Sequence, residues 1–167
     1  MIRLAGIAAV SLFACAVVGC AQPSSSDPPS STASADTAPT TSPADMAWTE
    51  SYDGALAQAK SENKLILADF TGSDWCHYCV QLRREVLNKP EFISWASSHV
   101  ILLEVDYPRR KAQADDIKAQ NERLKNQFNI DGYPTVVVMN ADGKEVGRIV
   151  GYDGEKEWSQ ELQKIVK

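Results

Sequence analysis

LILADFTGSDWCHYC, residues 65–79, contains three segments of different character. Leu65-Ile66-Leu67-Ala68 is an apolar run that ends in Asp69-Phe70. Starting at Lys64, it reads as a strand buried on both faces, with one acid near its end. Thr71-Gly72-Ser73-Asp74 is a short polar turn. Trp75 then leads into Cys76-His77-Tyr78-Cys79, two cysteines at the start of a segment that reads as a helix to Asn88. Strand, turn and paired cysteines opening a helix form a redox arrangement. The first turn of a helix has unpaired N–H groups and partial positive charge, which stabilise a thiolate at Cys76 and lower its pKa. Cys79, one turn along, can attack a mixed disulfide formed at Cys76.

The flanking segments alternate helix and strand. Upstream, Ser51 is a candidate N-cap, Asp53 sits in the first turn, and Tyr52, Leu56 and Ala59 repeat at helical spacing, which predicts a helix over 52–62. Downstream, helical spacing puts Cys79, Leu82 and Val86 on one face, with Arg83, Arg84 and Glu85 outside. Pro90 restarts a short helix carrying Phe92, Ile93 and Trp95. Val100–Val105 is a second buried strand, expected to run parallel to the first. Ala114, Ile117, Leu124 and Phe128 recur at helical spacing, so a helix is expected within 112–128. Thr135–Met139 and Lys144–Val150 read as strands joined by Asn140-Ala141-Asp142-Gly143, a hairpin signal. Asp153 is the expected cap of a last helix with Trp158, Leu162 and Ile165 inward. The fold class is α/β: a mixed central sheet with helices on both faces.

The ends and the composition bound the compartment. The chain has 167 residues and a net charge of −5, which argues against a nucleic-acid binder. Arg3 followed by the apolar stretch Leu4–Val18 reads as a targeting segment over 1–19, too short for a comfortable membrane span. It ends Val17-Val18-Gly19-Cys20, which resembles a bacterial lipobox and makes Cys20 the candidate lipid attachment site. Leu12-Phe13-Ala14-Cys15 is a poorer match, and a plain signal peptide is the simpler alternative. Acylation of Cys20 would supply the more than one chain that stable anchoring requires. Residues 20–46 are the anchor cysteine plus a Ser/Thr/Pro/Ala tether unable to bury enough surface to order itself, spanning roughly 25–30 Å as a flexible coil. Residues 47–167 are then the folded domain. Cys76 and Cys79 are the only cysteines left for it. A structural disulfide would normally close a longer loop. Zinc would need more ligands than these two with His77 and His99.

Asp69-Phe70, Trp75-Cys76-x-x-Cys79, Gly132-Tyr133-Pro134-Thr135 and Gly151, in this order, resemble the thioredoxin family over roughly residues 46–167. Two departures stand out. The inter-cysteine pair is His77-Tyr78 rather than Gly-Pro, and one more residue separates Asp69 from Cys76. The resemblance implies the thioredoxin fold and thiol–disulfide exchange without a cofactor. It also implies a cis Tyr133-Pro134 bond in a loop lying against the cysteines. There the backbone of Tyr133 could pair with an extended substrate segment, and Gly151 would leave room for it.

Roles follow from chemistry. Cys76 is the candidate attacking thiolate and Cys79 the resolving cysteine, less acidic on the core side. Asp69, desolvated and therefore raised in pKa, is the candidate base for Cys79, or else a capping aspartate bonded to backbone. Trp75 and Tyr133 would wall a shallow apolar rim, although simple packing serves Trp75 as well. His77 either modulates the thiolate or is an exposed spacer. Tyr78 reads as a surface aromatic and His99 as structural.

Two functions compete. The first is a monomeric, lipid-tethered thiol–disulfide oxidoreductase in the periplasm. It would act on protein thiols and disulfides and, as a reductase, draw on a membrane electron donor. The second is a copper-binding or delivery module using Cys76, Cys79 and His77, which Pro134 would crowd.

Overall fold

The computed structural model describes residues 48–167. The expectations for residues 1–46, including the targeting segment, Cys20 and the tether, lie outside the described residues. The elements are α1 (Tyr52–Glu62), β1 (Leu65–Thr71), α2 (His77–Leu82) running into a π turn (Arg83–Leu87), α3 (Pro90–His99), β2 (Val100–Asp106), α4 (Asp115–Gln127), β3 (Thr135–Met139), β4 (Glu145–Val150) and α5 (Glu155–Ile165).

One sheet of order β2-β1-β3-β4 organises them. β1 pairs parallel with β2 and antiparallel with β3, and β3 pairs antiparallel with β4. Side chains of a strand alternate between faces, so each strand feeds two cores. Ile66, Ala68 and Phe70 join Ile101, Leu103 and Val105 under α1 and α4. Leu67 joins Leu102, Val136 and Val138 on the other face, with Leu82, Val86, Phe92, Trp158 and Leu162. Burial on both faces is why β1 reads as an unbroken apolar run. The same alternation turns Asp69 and Thr71 toward the α2 side. On β2 it turns Glu104 and Asp106 there as well, because Val100 and Leu102 belong to that face.

The local signals act largely as read. Ser51 Oγ accepts from Gly54 N–H and caps α1. The 140–143 hairpin closes through Asn140 N–H to Lys144 O at 2.9 Å, with Gly143 at φ +77°. Three expectations are corrected. Asp153 does not cap α5: the cap position is Gly154 at φ +126°, with no side-chain bond. Ala114 is exposed at the N-cap of α4, because that helix starts at Asp115; Asn121, buried to 1%, takes a place on its inner face. Arg83 and Glu85 are half-buried rather than outside. The π turn widens the backbone there, with Asn88 N–H bonded to Arg83 O, and rotates the side chains that follow Arg83. Arg83 reaches over the sheet to Glu104, and Glu85 accepts from Tyr152 Oη at 2.9 Å.

Candidate active site

The carboxyl end of β1 and the start of α2 converge on the cysteine pair. Cys76 is the N-cap of α2 in extended conformation, and Cys79 N–H points at its Sγ from 3.2 Å. The two cysteines form a disulfide with Cα atoms 5.2 Å apart. In this oxidised form Cys76 is 7% exposed against 3% for Cys79. Both cysteines are thus buried, Cys76 slightly less than Cys79. On reduction, the Cys79 N–H and the helix end would stabilise a thiolate at Cys76.

Asp69 is 2% exposed. It is not a capping aspartate: Oδ1 has no hydrogen-bond partner, and the nearest charge to Oδ2 is Arg83 Nη2 at 3.6 Å. Burial raises its pKa, Arg83 opposes, and Glu104 and Asp106 add to the rise, leaving it at about 7. A buried carboxyl near that value can exchange a proton at neutral pH. A cleft of about 310 Å³ is lined by Thr71, Ser73, Cys79, Val80, Arg83, Arg84 and Asn88, which opens the inner cysteine's side of the site.

The rim is aromatic and braced from 106–111. Trp75 Nε1 donates to Tyr107 O at 2.7 Å. The Trp75 ring meets Tyr133 edge-on at 5.7 Å, and Tyr107 meets Tyr133 at 5.2 Å. A side chain at Gly72 would run into the Trp75 indole, so the turn needs glycine there. Asp74, at the end of the longer turn, accepts the backbone N–H groups of Arg109, Arg110 and Lys111 at 3.0, 2.7 and 3.2 Å. These bonds hold its carboxyl below the usual range. Arg109 lies 3.8 Å over the Trp75 ring.

Tyr133-Pro134 is cis, as expected. Pro134 O accepts Gly151 N–H at 2.8 Å, whereas the Tyr133 backbone has no hydrogen-bond partner among the described residues. Gly151 lies one residue beyond β4 rather than on it, at φ +81°, with open space where a Cβ would stand. His77 is exposed, packs edge-on against Tyr78 at 5.5 Å and bonds neither cysteine. His99 Nδ1 donates to Trp95 O at 2.7 Å and its ring stacks on that indole, a structural place. The structure thus brings together Cys76, Cys79, Asp69, Trp75, Tyr133 and Pro134. It adds Arg83, Glu104 and Asp74, which the sequence reading had passed over. One signal was available for Arg83: it follows Cys79 by four residues, a spacing that shares a helix face.

A mixed sheet flanked by helices, with a Cys-x-x-Cys disulfide capping the helix after the central strand and a cis-proline loop beside it, defines the thioredoxin class. Residues 52–165 match the family described as thioredoxin-like domain, and the chain belongs to that family. It is 37% identical over 106 residues to disulfide bond reductase DsbH of Chlamydia pneumoniae, covering 64% of this chain and 63% of the relative. It is 33% identical over 110 residues to thioredoxin-related protein DsbJ of the same organism, covering 66% of this chain and 32% of that one. The solved structure of a DsbH oxidoreductase superposes with a TM-score of 0.67 at 31% identity, covering 72% of this chain and 84% of that one. The chain therefore spans under two thirds of the length of these two curated relatives.

Proposed function

We propose that this protein is a thiol–disulfide oxidoreductase of the bacterial cell envelope that reduces protein disulfides. The observation that carries the reading is the Cys76–Cys79 disulfide at the N-terminus of α2, with a buried carboxyl on the strand behind it. Its likeness to a named disulfide bond reductase supports the reducing direction. The reduced Cys76 thiolate attacks one sulfur of a substrate disulfide and expels the other as a thiolate. Cys79 then gives its proton to Asp69 and attacks Cys76. The bond between Cys76 and the substrate breaks, and the second substrate sulfur leaves as a thiolate that solvent protonates. Two electrons pass from the dithiol to the substrate, and the pair ends as a disulfide. Trp75, Tyr133 and the unpaired Tyr133 backbone receive an extended substrate segment, with Gly151 giving clearance. A membrane donor re-reduces the pair, the domain works as a monomer, and Cys20 tethers it by lipid.

Incubation of single-cysteine variants with a protein disulfide tests this reading on non-reducing gels. Cys79→Ser should accumulate a mixed disulfide through Cys76, identified by mass spectrometry. Cys76→Ser should form no adduct. Adducts through Cys79 at parental rates would overturn the assignment of roles, and full activity in both variants would remove the oxidoreductase reading.

The copper alternative has no third His, Cys, Asp or Glu grouped with the sulfurs among the described residues. Stoichiometric copper binding by the reduced protein that is lost in His77→Ala would favour it.

A further inference from the structure

Two acids stand side by side behind the cysteines. Asp69 on β1 and Glu104 on β2 are register partners on parallel strands and share the α2 face. One guanidinium serves both. Arg83 Nη2 hydrogen-bonds Glu104 Oε1, and the same nitrogen stands 3.6 Å from Asp69 Oδ2, beyond hydrogen-bond reach. The directional bond thus goes to the partly exposed acid, whose side chain is 23% accessible, and not to the buried one at 2%. Asp69 Oδ1 is left buried with no partner at all.

Arg83 is held in this position. The Trp48 ring lies 4.4 Å from its guanidinium. The next residue, Thr49, is pinned to β2 by Thr49 N–H to Leu102 O at 3.0 Å and Glu104 N–H to Thr49 O at 2.9 Å. The Arg83 backbone N–H donates to the carbonyls of Cys79 and Val80. Its side chain and Cys79 line the same cleft.

The geometry points to Arg83 as a positioning residue that Glu104 and Trp48 hold short of Asp69, so that the carboxylate stays unbonded and able to take the Cys79 proton. This inference rests on the oxidoreductase reading for the identity of that proton. Cys79 loses its proton to Asp69, and its thiolate forms the S–S bond to Cys76 as the Cys76–substrate bond breaks. Arg83 itself neither gains nor loses a proton and bonds neither sulfur. The charged groups acting on Asp69 are Arg83 from the π turn and Glu104 and Asp106 from β2; β3 places Val136 opposite it.

Two substitutions then act in opposite directions. Glu104→Gln weakens the competing hold on the guanidinium, lets it bond Asp69, and should lower the Asp69 titration by about one pH unit or more. Arg83→Met removes the cation and leaves Asp69 beside Glu104, so the titration should rise by about as much. Arg83→Lys keeps the charge without the planar fork and should fall between the parent and Arg83→Met. The Asp69 carboxyl is followed by carbon-13 NMR titration in the oxidised full chain, where neither cysteine titrates and no activity is needed. The pH midpoint for release of a mixed disulfide from Cys76 is measured in parallel and should move with the carboxyl in each variant. Titrations that move the same way in both variants, or in neither, overturn the inference. So does a release midpoint that ignores a shifted carboxyl. A parent chain that exchanges no disulfides defeats the oxidoreductase reading instead, while the carboxyl titration still decides whether Arg83 governs Asp69. If Arg83→Met fails to fold by thermal melt, Glu104→Gln and Arg83→Lys still carry the sign.

Discussion

Asp69 is a carboxyl in a place that disfavours its charge. It sits at 2% exposure with one oxygen unbonded, and burial outweighs the single cation near it. An acid whose pKa is higher in the folded than in the unfolded chain binds its proton more tightly when folded. Its cost to stability is absent below about pH 4, where both states are protonated. The cost grows as pH rises toward about 7 and is constant above it. Asp69→Asn should therefore be more stable than the parent at pH 8, by roughly a few kcal/mol, with the gap closing toward about pH 4. Urea denaturation across that range measures it; a gap that widens on acidification would contradict the assignment. The same variant should slow resolution of the Cys76 mixed disulfide more than its formation, as read by rapid quench. Equal slowing of both steps would argue against a base at this position.

Helix α2 is too short to stand alone, since isolated helices of this length are not stable in water. It is held by Cys79 and Leu82, which are buried, and by the π turn that continues it, where Val86 and Leu87 are buried as well. The turn ahead of it is held by the segment that follows β2. Ser73 N–H and Oγ donate to the Asp106 carboxylate at 2.8 and 2.6 Å, and Asp74 collects the three N–H groups of 109–111. The extra residue in the turn and the long connection after β2 are thus one device: the longer turn supplies the acceptor and the connection supplies the donors. Asp74→Ala should raise amide exchange at Arg109, Arg110 and Lys111 without unfolding the sheet, and should loosen Trp75, whose fluorescence reports it. The carboxyl is lowered by these bonds, so their protection is present at neutral pH and should fade as pH falls below about 4. Unchanged exchange in Asp74→Ala would show that the connection is held by other contacts.

Across the molecule, one sheet with a core on each face carries the site residues on its central strand, its parallel neighbour, the loops at the same end and the helix that follows β1. No helix among the described residues is long and apolar enough to cross a membrane. The proposed lipid attachment is through Val17-Val18-Gly19-Cys20. The mature protein should begin at an acylated Cys20 and partition into detergent, and Cys20→Ser should leave the protein in the aqueous phase. Mass spectrometry finding an unmodified N-terminus elsewhere would dismiss the anchor and leave the redox domain untouched.

The strand–turn–Cys-x-x-Cys order, the apolar runs of β1 and β2, the 140–143 hairpin and the proline after Tyr133 are all local patterns. The architecture and the cysteine pair were therefore legible in one dimension. The depth of Asp69 could be read too, because a single acid in an unbroken apolar run has nowhere exposed to go. Arg83 could be read only in part. Its spacing from Cys79 puts it on the same helix face, but its partners are fixed by strand register, which sets Glu104 beside Asp69. Asp74 was similarly opaque, since its three donors lie 35–37 residues away along the chain. The capping of α5 failed for a related reason: a glycine at φ +126° supplied the turn that a capping side chain was expected to make. Periodicity records which side chains must leave water. Which charge meets which depends on strand register and a one-residue change in helix winding, and those are settled only when the two cores pack.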